Sequence, residues 1–166
     1  MMFDDKMYAD FLELAENNKK LIYKVSHMYC DNIVDKKDLF QDIILNLWTA
    51  YPNFKGKSKV STWVYRVSLN TAITWYRDYV KNSNRVEYTN LIPQLLDEND
   101  STINELYDKL YSAINTLGKV DKAIMLLFLD EYSYEDIAEI VGLTKTNVAT
   151  KISRIKLQLR DYLSNN

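Results

Sequence analysis

Cysteine, histidine, glycine and proline are scarce in this chain, and each shortage narrows what it can be. One cysteine, Cys30, rules out an internal disulfide framework, and with one histidine, His27, a Cys/His zinc site cannot be assembled. Both fall in a predicted helix and read most simply as packing or surface residues. Three glycines and two prolines in 166 residues are too few for the turns of a β-sandwich. With 47% hydrophobic residues, a helical globular protein is expected, long enough for one sizeable domain or two small ones. No apolar run approaches the length of a membrane span. The first residues, MMFDDKMYAD, are acidic where a secretory signal is basic and then apolar. The expectation is a cytoplasmic chain without direct membrane insertion. A glycine-rich phosphate loop, a metal-ligand cluster and a nucleophile–base motif are also missing. The chain is therefore expected not to be an enzyme and to need no metal, cofactor or small-molecule substrate. A net charge of −2 does not announce a nucleic-acid binder either, so local charge must carry that case.

Locally it is acid that is missing. Residues 54–77, FKGKSKVSTWVYRVSLNTAITWYR, contain no Asp or Glu. A predicted loop holds Lys55, Lys57 and Lys59 around Gly56, and a helical run follows with Arg66 and Arg77 among Trp63, Tyr65, Trp75 and Tyr76. An amphipathic helix with a solvated basic face is one reading. Single-stranded nucleic acid is the other, because cations track phosphates while aromatic faces stack on unpaired bases. Val60, Trp63, Val64, Val67 and Thr71 recur at helical intervals as one apolar face. Arg66, Asn70 and Arg77 form a second, polar stripe. An amide at Asn70 both donates and accepts, which suits a base edge better than a phosphate.

Upstream, residues 4–30 read as two helices, with Phe11, Leu14, Leu21, Ile22, Val25 and Met28 apolar and a break or polar face at Glu16-Asn17-Asn18. Asp35, followed by Asp38, looks like an N-cap. The next helix, 38–50, places Leu39, Phe40, Ile43, Ile44, Leu47 and Trp48 on one broad face and Asp38, Gln41, Asp42, Asn46 and Thr49 on the other. Leu45 projects from that polar face. A lone exposed leucine is ordinary, and a leucine ringed by carboxylates and an amide is also the composition of a docking patch. Residues 82–102 are polar, contain Pro93 and end in an acidic cluster, so a linker is expected there, with a short helical turn at 91–96.

Helical periodicity returns at Ile103. Ile103, Leu106, Leu110, Ile114 and Leu117 make a stripe that stops at Gly118, and a mostly buried helix spans 121–131. Ser133 with Asp136 caps a short predicted helix, 134–141, ended by Gly142. Thr144 caps a longer one through Arg160. A short helix, a glycine turn and a longer helix make a helix-turn-helix signature. Ala138 and Gly142 are read as permitting a close helix crossing. Val148, Ile152, Ile155 and Leu159 form the inner stripe of the second helix. Thr146, Thr150, Ser153 and Arg154 point outward, with Asn147 and Lys151 at the borders. From 144 to 160 there are five cations, Lys145, Lys151, Arg154, Lys156 and Arg160, and no acid. A solvated bundle helix accommodates this pattern, and a major-groove helix with a basic margin asks for it.

One module suited to single strands, a linker and one module suited to duplex, in that order, resemble the extracytoplasmic-function sigma factors of bacterial RNA polymerase over nearly the whole chain. DKKDLFQDIILNLW is similar to the region-2 helix that docks on the polymerase clamp, 54–77 to the promoter-melting and −10 segment, and 117–160 to the region-4 helix-turn-helix. The resemblance implies an all-α fold of two small helical domains: region 2 at 1–81, a linker at 82–102 and region 4 at 103–166. It implies that Asp38, Leu39, Gln41, Asp42 and Leu45 meet core RNA polymerase. It further implies that Lys55, Lys57, Lys59, Trp63, Arg66, Asn70, Thr71, Trp75 and Arg77 meet −10 DNA, the 54–60 loop with Trp63 and Asn70 holding a flipped base. Thr146, Asn147, Ala149, Thr150, Lys151, Ser153 and Arg154 would meet −35 DNA. The implied partners are core polymerase, promoter DNA and an anti-sigma factor. Ala149 and Ser153 are smaller than the family pattern, Gly118 replaces its proline, and Trp75 and Tyr76 make the −10 helix more aromatic. A conventional helix-turn-helix regulator with an N-terminal sensing domain is the alternative. It would have no need of the 38–45 patch or the aromatic–basic stretch.

Overall fold

The computed structural model describes residues 5–82 and 101–165, and every regular element among them is helical. The chain divides into two compact units at Tyr88 and Thr89. The expected linker lies almost wholly outside the described residues, as does the helical turn expected at 91–96.

The first unit holds α1 (Asp5–Asn17), α2 (Lys19–Tyr29), α3 (Ile33–Ala50), a 3-10 turn (Tyr51–Asn53) and α4 (Val60–Asn82). Asn18 separates α1 from α2: its side-chain Nδ2 donates to the Leu14 carbonyl at 2.8 Å, closing the helix behind it. Asn32, not Asp35, caps α3, its side chain accepting the Asp35 N–H at 2.8 Å. Asp35 is the third helical residue and receives the Asn32 amide in return, so the helix begins earlier than the apolar pattern suggests. Ile22, Val25, Leu39, Ile43, Leu47, Val64, Tyr65, Leu69 and Ala72 fill the core where α2, α3 and α4 meet.

The buried face of α4 is not the expected one. Thr62, Tyr65, Ser68, Leu69 and Ala72 face inward, and of the expected apolar face only Val64 is fully buried. Val60 is 41% exposed. At ~100° per residue the real face is turned by roughly a third of a revolution. Small residues at 68 and 72 explain the choice, because they let α4 lie close against two neighbouring helices at once.

The second unit holds α5 (Ser101–Asn115), α6 (Lys119–Leu129), α7 (Tyr134–Val141) and α8 (Lys145–Asn165). Its core is Ala113, Ile114 and Leu117, the run Ala123 to Leu127, Ile137, Ile140, Val148, Ile152, Ile155 and Leu159. Leu106 is 65% exposed while Ile114 and Leu117 are buried, so from Leu106 onward the stripe is covered only toward its C-terminal end. The sixth helix stops two residues short of expectation. Glu131 adopts a left-handed φ of 61°, and its N–H and that of Tyr132 turn back to the carbonyls of Phe128 and Leu127.

Candidate nucleic-acid interface

The polar face of α3 is presented as the sequence suggests. Asp38, Gln41 and Asp42 are exposed, and Leu45 among them is 60% exposed. Leu39 is the exception in the expected docking set. It is 0% exposed, locked beneath this face with Ile43 and Leu47, so it supports the patch and cannot touch a partner.

An open cleft of about 480 Å³ runs between this face and α4. Asp42, Leu45 and Asn46 line one side; Asn70, Thr71, Thr74, Trp75 and Asp78 line the other. The Asn46 side chain donates to Thr71 Oγ1 at 3.0 Å, and Thr71 Oγ1 donates to the Val67 carbonyl at 2.8 Å. Thr71 is therefore a tie between the two helices, with its proton already committed. Trp75 stacks on Tyr79, ring centroids 5.1 Å apart and planes 13° from parallel. The lining offers two carboxylates, two amides, two hydroxyls, an indole and a leucine, and no cation. Such a surface suits a neutral planar group carrying N–H donors and repels a phosphate. Asn46, Thr74 and Asp78 were not singled out as site residues. Thr74, one turn beyond Asn70, was within reach of helical spacing, and Asn46 was already on the polar face of α3.

The expected grouping of Asn70 with the 54–60 loop is not what this cleft brings together, since no loop residue lines it. The loop belongs with Trp63 instead. Phe54 stacks on Trp63 at 4.7 Å, with Tyr51 tilted against the indole at 6.4 Å. Trp63 is half-buried rather than core. Lys55, Lys57 and Lys59 are exposed, and Gly56 between them takes a φ of 66° that a side chain would strain. Arg66 is half-buried, while Arg77 is exposed with its guanidinium 3.6 Å from the neighbouring Asp78 carboxylate.

In the second unit the helix-turn-helix is α7 and α8. Ser133 Oγ accepts the Asp136 N–H and Thr144 Oγ1 accepts the Asn147 N–H, capping the two helices. Gly142 has φ 72° and open space where a Cβ would sit. The turn needs glycine for this left-handed backbone, not for the close crossing expected. Thr146, Asn147, Thr150, Ser153 and Arg154 are exposed, Ala149 is half-buried, and the inner stripe is fully buried. The Thr150 and Ser153 hydroxyls donate to the carbonyls of Thr146 and Ala149, leaving their oxygens outward as acceptors. Lys151 departs from expectation: its ammonium lies 2.7 Å from the Asp121 carboxylate of α6. Lys145 pairs with Glu135, whose carboxyl it holds below the usual range by that hydrogen bond, and Lys156 sits 4.3 Å over the Phe128 ring.

Comparison with known proteins converges on one family. Residues 14–81 match the Sigma-70 region 2 model and residues 107–159 the Sigma-70 region 4 model. The chain is 27% identical to RNA polymerase sigma factor YlaC of Bacillus subtilis, with 77% of each chain covered. It is 25% identical to ECF RNA polymerase sigma factor SigW of the same organism, with 95% of this chain and 91% of SigW covered. Its fold resembles the sigma factor RpoE of Bartonella quintana, solved with the anti-sigma factor NepR, at a TM-score of 0.75 and 20% identity over 93% of this chain and 97% of that one. It also resembles CnrH, solved with the cytosolic domain of CnrY, at 0.67 and 18% identity over 94% of this chain and 88% of that one. With regions 2 and 4 matched in order on two helical units, the chain belongs to the extracytoplasmic-function branch of the sigma-70 family of RNA polymerase sigma factors.

Proposed function

We propose that this sigma factor docks on core RNA polymerase through the exposed face of α3, holds the separated −10 strand with α4 and its preceding loop, and reads −35 duplex with α8. The observation that carries the reading is Leu45, an exposed leucine framed by Asp38, Gln41 and Asp42, on the rim of the same cleft as Asn70. Docking and base capture are thereby neighbours on one packed pair of helices. That proximity has an energetic use. Stacking a base is worth about 1–3 kcal/mol, and extruding a paired base costs a few kcal/mol. A cleft of this kind cannot open duplex alone, so contacts with polymerase and the exposed lysines 55, 57 and 59 share the cost.

The division of labour between contacts is chemical. The lysine loop and Arg77 supply charge for phosphates, Trp63 and Trp75 supply stacking faces, and Asn70 supplies a hydrogen-bonding edge. On α8, Arg154 is the forked group suited to a base edge, while Thr150 and Ser153 accept from the groove. The chain performs no chemistry itself and acts in the cytoplasm. Because a similar fold occurs in a complex with an anti-sigma factor, an inhibitory protein partner is part of the proposal. Run-off transcription tests the whole. Core polymerase plus this chain should give a discrete transcript from a cognate promoter, and core alone should not. Equal transcript with and without the chain on every template would sink the proposal.

A further inference from the structure

Five cations lie on residues 144–160, yet three are engaged inside the unit: Lys145 with Glu135, Lys156 over Phe128, and Lys151 with Asp121. The last differs from the first in kind. Lys145 and Glu135 are well exposed, so a phosphate can displace that carboxylate readily. Lys151 and Asp121 are each only about a third exposed and join residues 30 apart in sequence, α8 to the start of α6. Asp121 presents a carboxylate oxygen at 2.7 Å to the ammonium of Lys151, the residue that follows Thr150 on α8 and precedes Arg154 by about one turn.

We infer that Asp121 is a specificity-determining residue: it withholds Lys151 from the phosphate backbone, so that α8 grips duplex through its readers and not through one more sequence-blind contact. The inference rests on the proposed −35 reading. Phosphate contacts raise affinity for every sequence alike, whereas base contacts discriminate. A carboxylate that occupies a bordering lysine lowers the first without touching the second. Lys151 is then an internal strut that neutralises no phosphate, so the duplex keeps the condensed counterion that such a contact would release.

The test measures binding of the full-length chain to a random-sequence 30-base-pair duplex across a salt series. Asp121→Asn should bind tighter and with a salt slope steeper by about 0.9, which is roughly a 3-fold greater loss of affinity between 50 and 200 mM salt. Lys151→Met, which keeps the apolar stem, should leave the wild-type slope unchanged and abolish the gain in the Asp121→Asn background. An unchanged slope for Asp121→Asn, or a flatter one for Lys151→Met alone, overturns the inference; the second measurement stands even if Asp121→Asn folds poorly. Arg154→Ala, measured on a duplex carrying the cognate −35 element, separates the two readings. If it weakens binding while Asp121→Asn does nothing, only the role of Asp121 falls. If it too has no effect, or no form binds duplex, α8 does not meet DNA and both readings fall.

Discussion

Leu39 and Leu45 lie six residues apart on α3 and were expected to share one role, but the structure sets them apart in a measurable way. Leu45 is 60% exposed and Leu39 0%. Full burial of a leucine is worth about 1.5–3 kcal/mol, so a partner that covers Leu45 gains roughly 1–2 kcal/mol from what is still open to water. Leu45→Ala should therefore weaken core-polymerase binding about 5- to 30-fold. Its effect on folding should stay below about 1 kcal/mol, because little of the side chain is buried to begin with. Leu39→Ala should do the reverse. A cavity under α3 costs about 2–5 kcal/mol of stability, while the polar surface above it loses no contact of its own. Titration of labelled chain with core polymerase, paired with urea unfolding of the same variants, reads both quantities. If Leu45→Ala binds core as wild type does, or unfolds as early as Leu39→Ala, the assignment of the exposed face as the docking surface is wrong.

Asn70→Ala should impair transcription from closed promoters and recover on a template pre-melted at the −10 element with an altered base. An unchanged base preference on all templates would return Asn70 to the status of a solvated helix residue. Burial pushes the Cys30 thiol up to about 12, with Asp35 and Asp31 adding to the effect. At pH 8 that leaves its thiolate on the order of 10³-fold scarcer than a free cysteine's, so alkylation should be slow in the folded chain and fast in denaturant; rapid labelling without unfolding would contradict the packing of α2 against α3. Glu131→Gly should raise the thermal midpoint modestly, by relief of left-handed strain of about 1–2 kcal/mol less the extra flexibility glycine gives the unfolded chain. A lowered midpoint would mean the Glu131 side chain contributes more than its backbone strain takes away.

How much of this was legible beforehand depends on how local the determinant is. The α8 stripe of Val148, Ile152, Ile155 and Leu159 is strongly periodic and was read correctly, as were the Ser133 and Thr144 caps, because each is fixed within a few residues of sequence. The face of α4 was not legible. Val60, Trp63 and Val67 are apolar, while Tyr65 and Ser68 carry hydroxyls, so hydropathy favours the wrong arc. What decides the matter is the approach of two other helices, which requires small residues and not merely apolar ones. Leu106 failed for a related reason: a stripe says which residues share a face, not how far along the helix a neighbour covers it. The cleft joins residues 25 apart through the Asn46–Thr71 hydrogen bond. The crossing that creates it is tertiary, so spacing within α3 or α4 could name the polar faces and could not bring them together.

The charge pattern makes sense when the two units are weighed jointly. An acidic chain that must touch DNA at two places has to keep its carboxylates off the phosphates, and here some are spent on lysines inside the unit. Asp121 takes up Lys151 on the proposed reading helix in a part-buried pair, while the exposed Lys145–Glu135 pair still yields to a phosphate. The cleft beside α4 is lined by Asp42 and Asp78 and admits a base better than a backbone. Each contact is weak by design of its surroundings: the duplex reader has few free cations, and base stacking yields only about 1–3 kcal/mol. Weak modules on one chain still give strong binding when both sites are engaged at once, because the second association is intramolecular. A tight grip on any duplex would instead hold the factor on non-promoter DNA, where competing sites vastly outnumber promoters. Selectivity therefore comes from requiring polymerase, a −35 duplex and a separable −10 strand together, and the part-buried Lys151–Asp121 pair keeps the duplex term from satisfying that requirement alone.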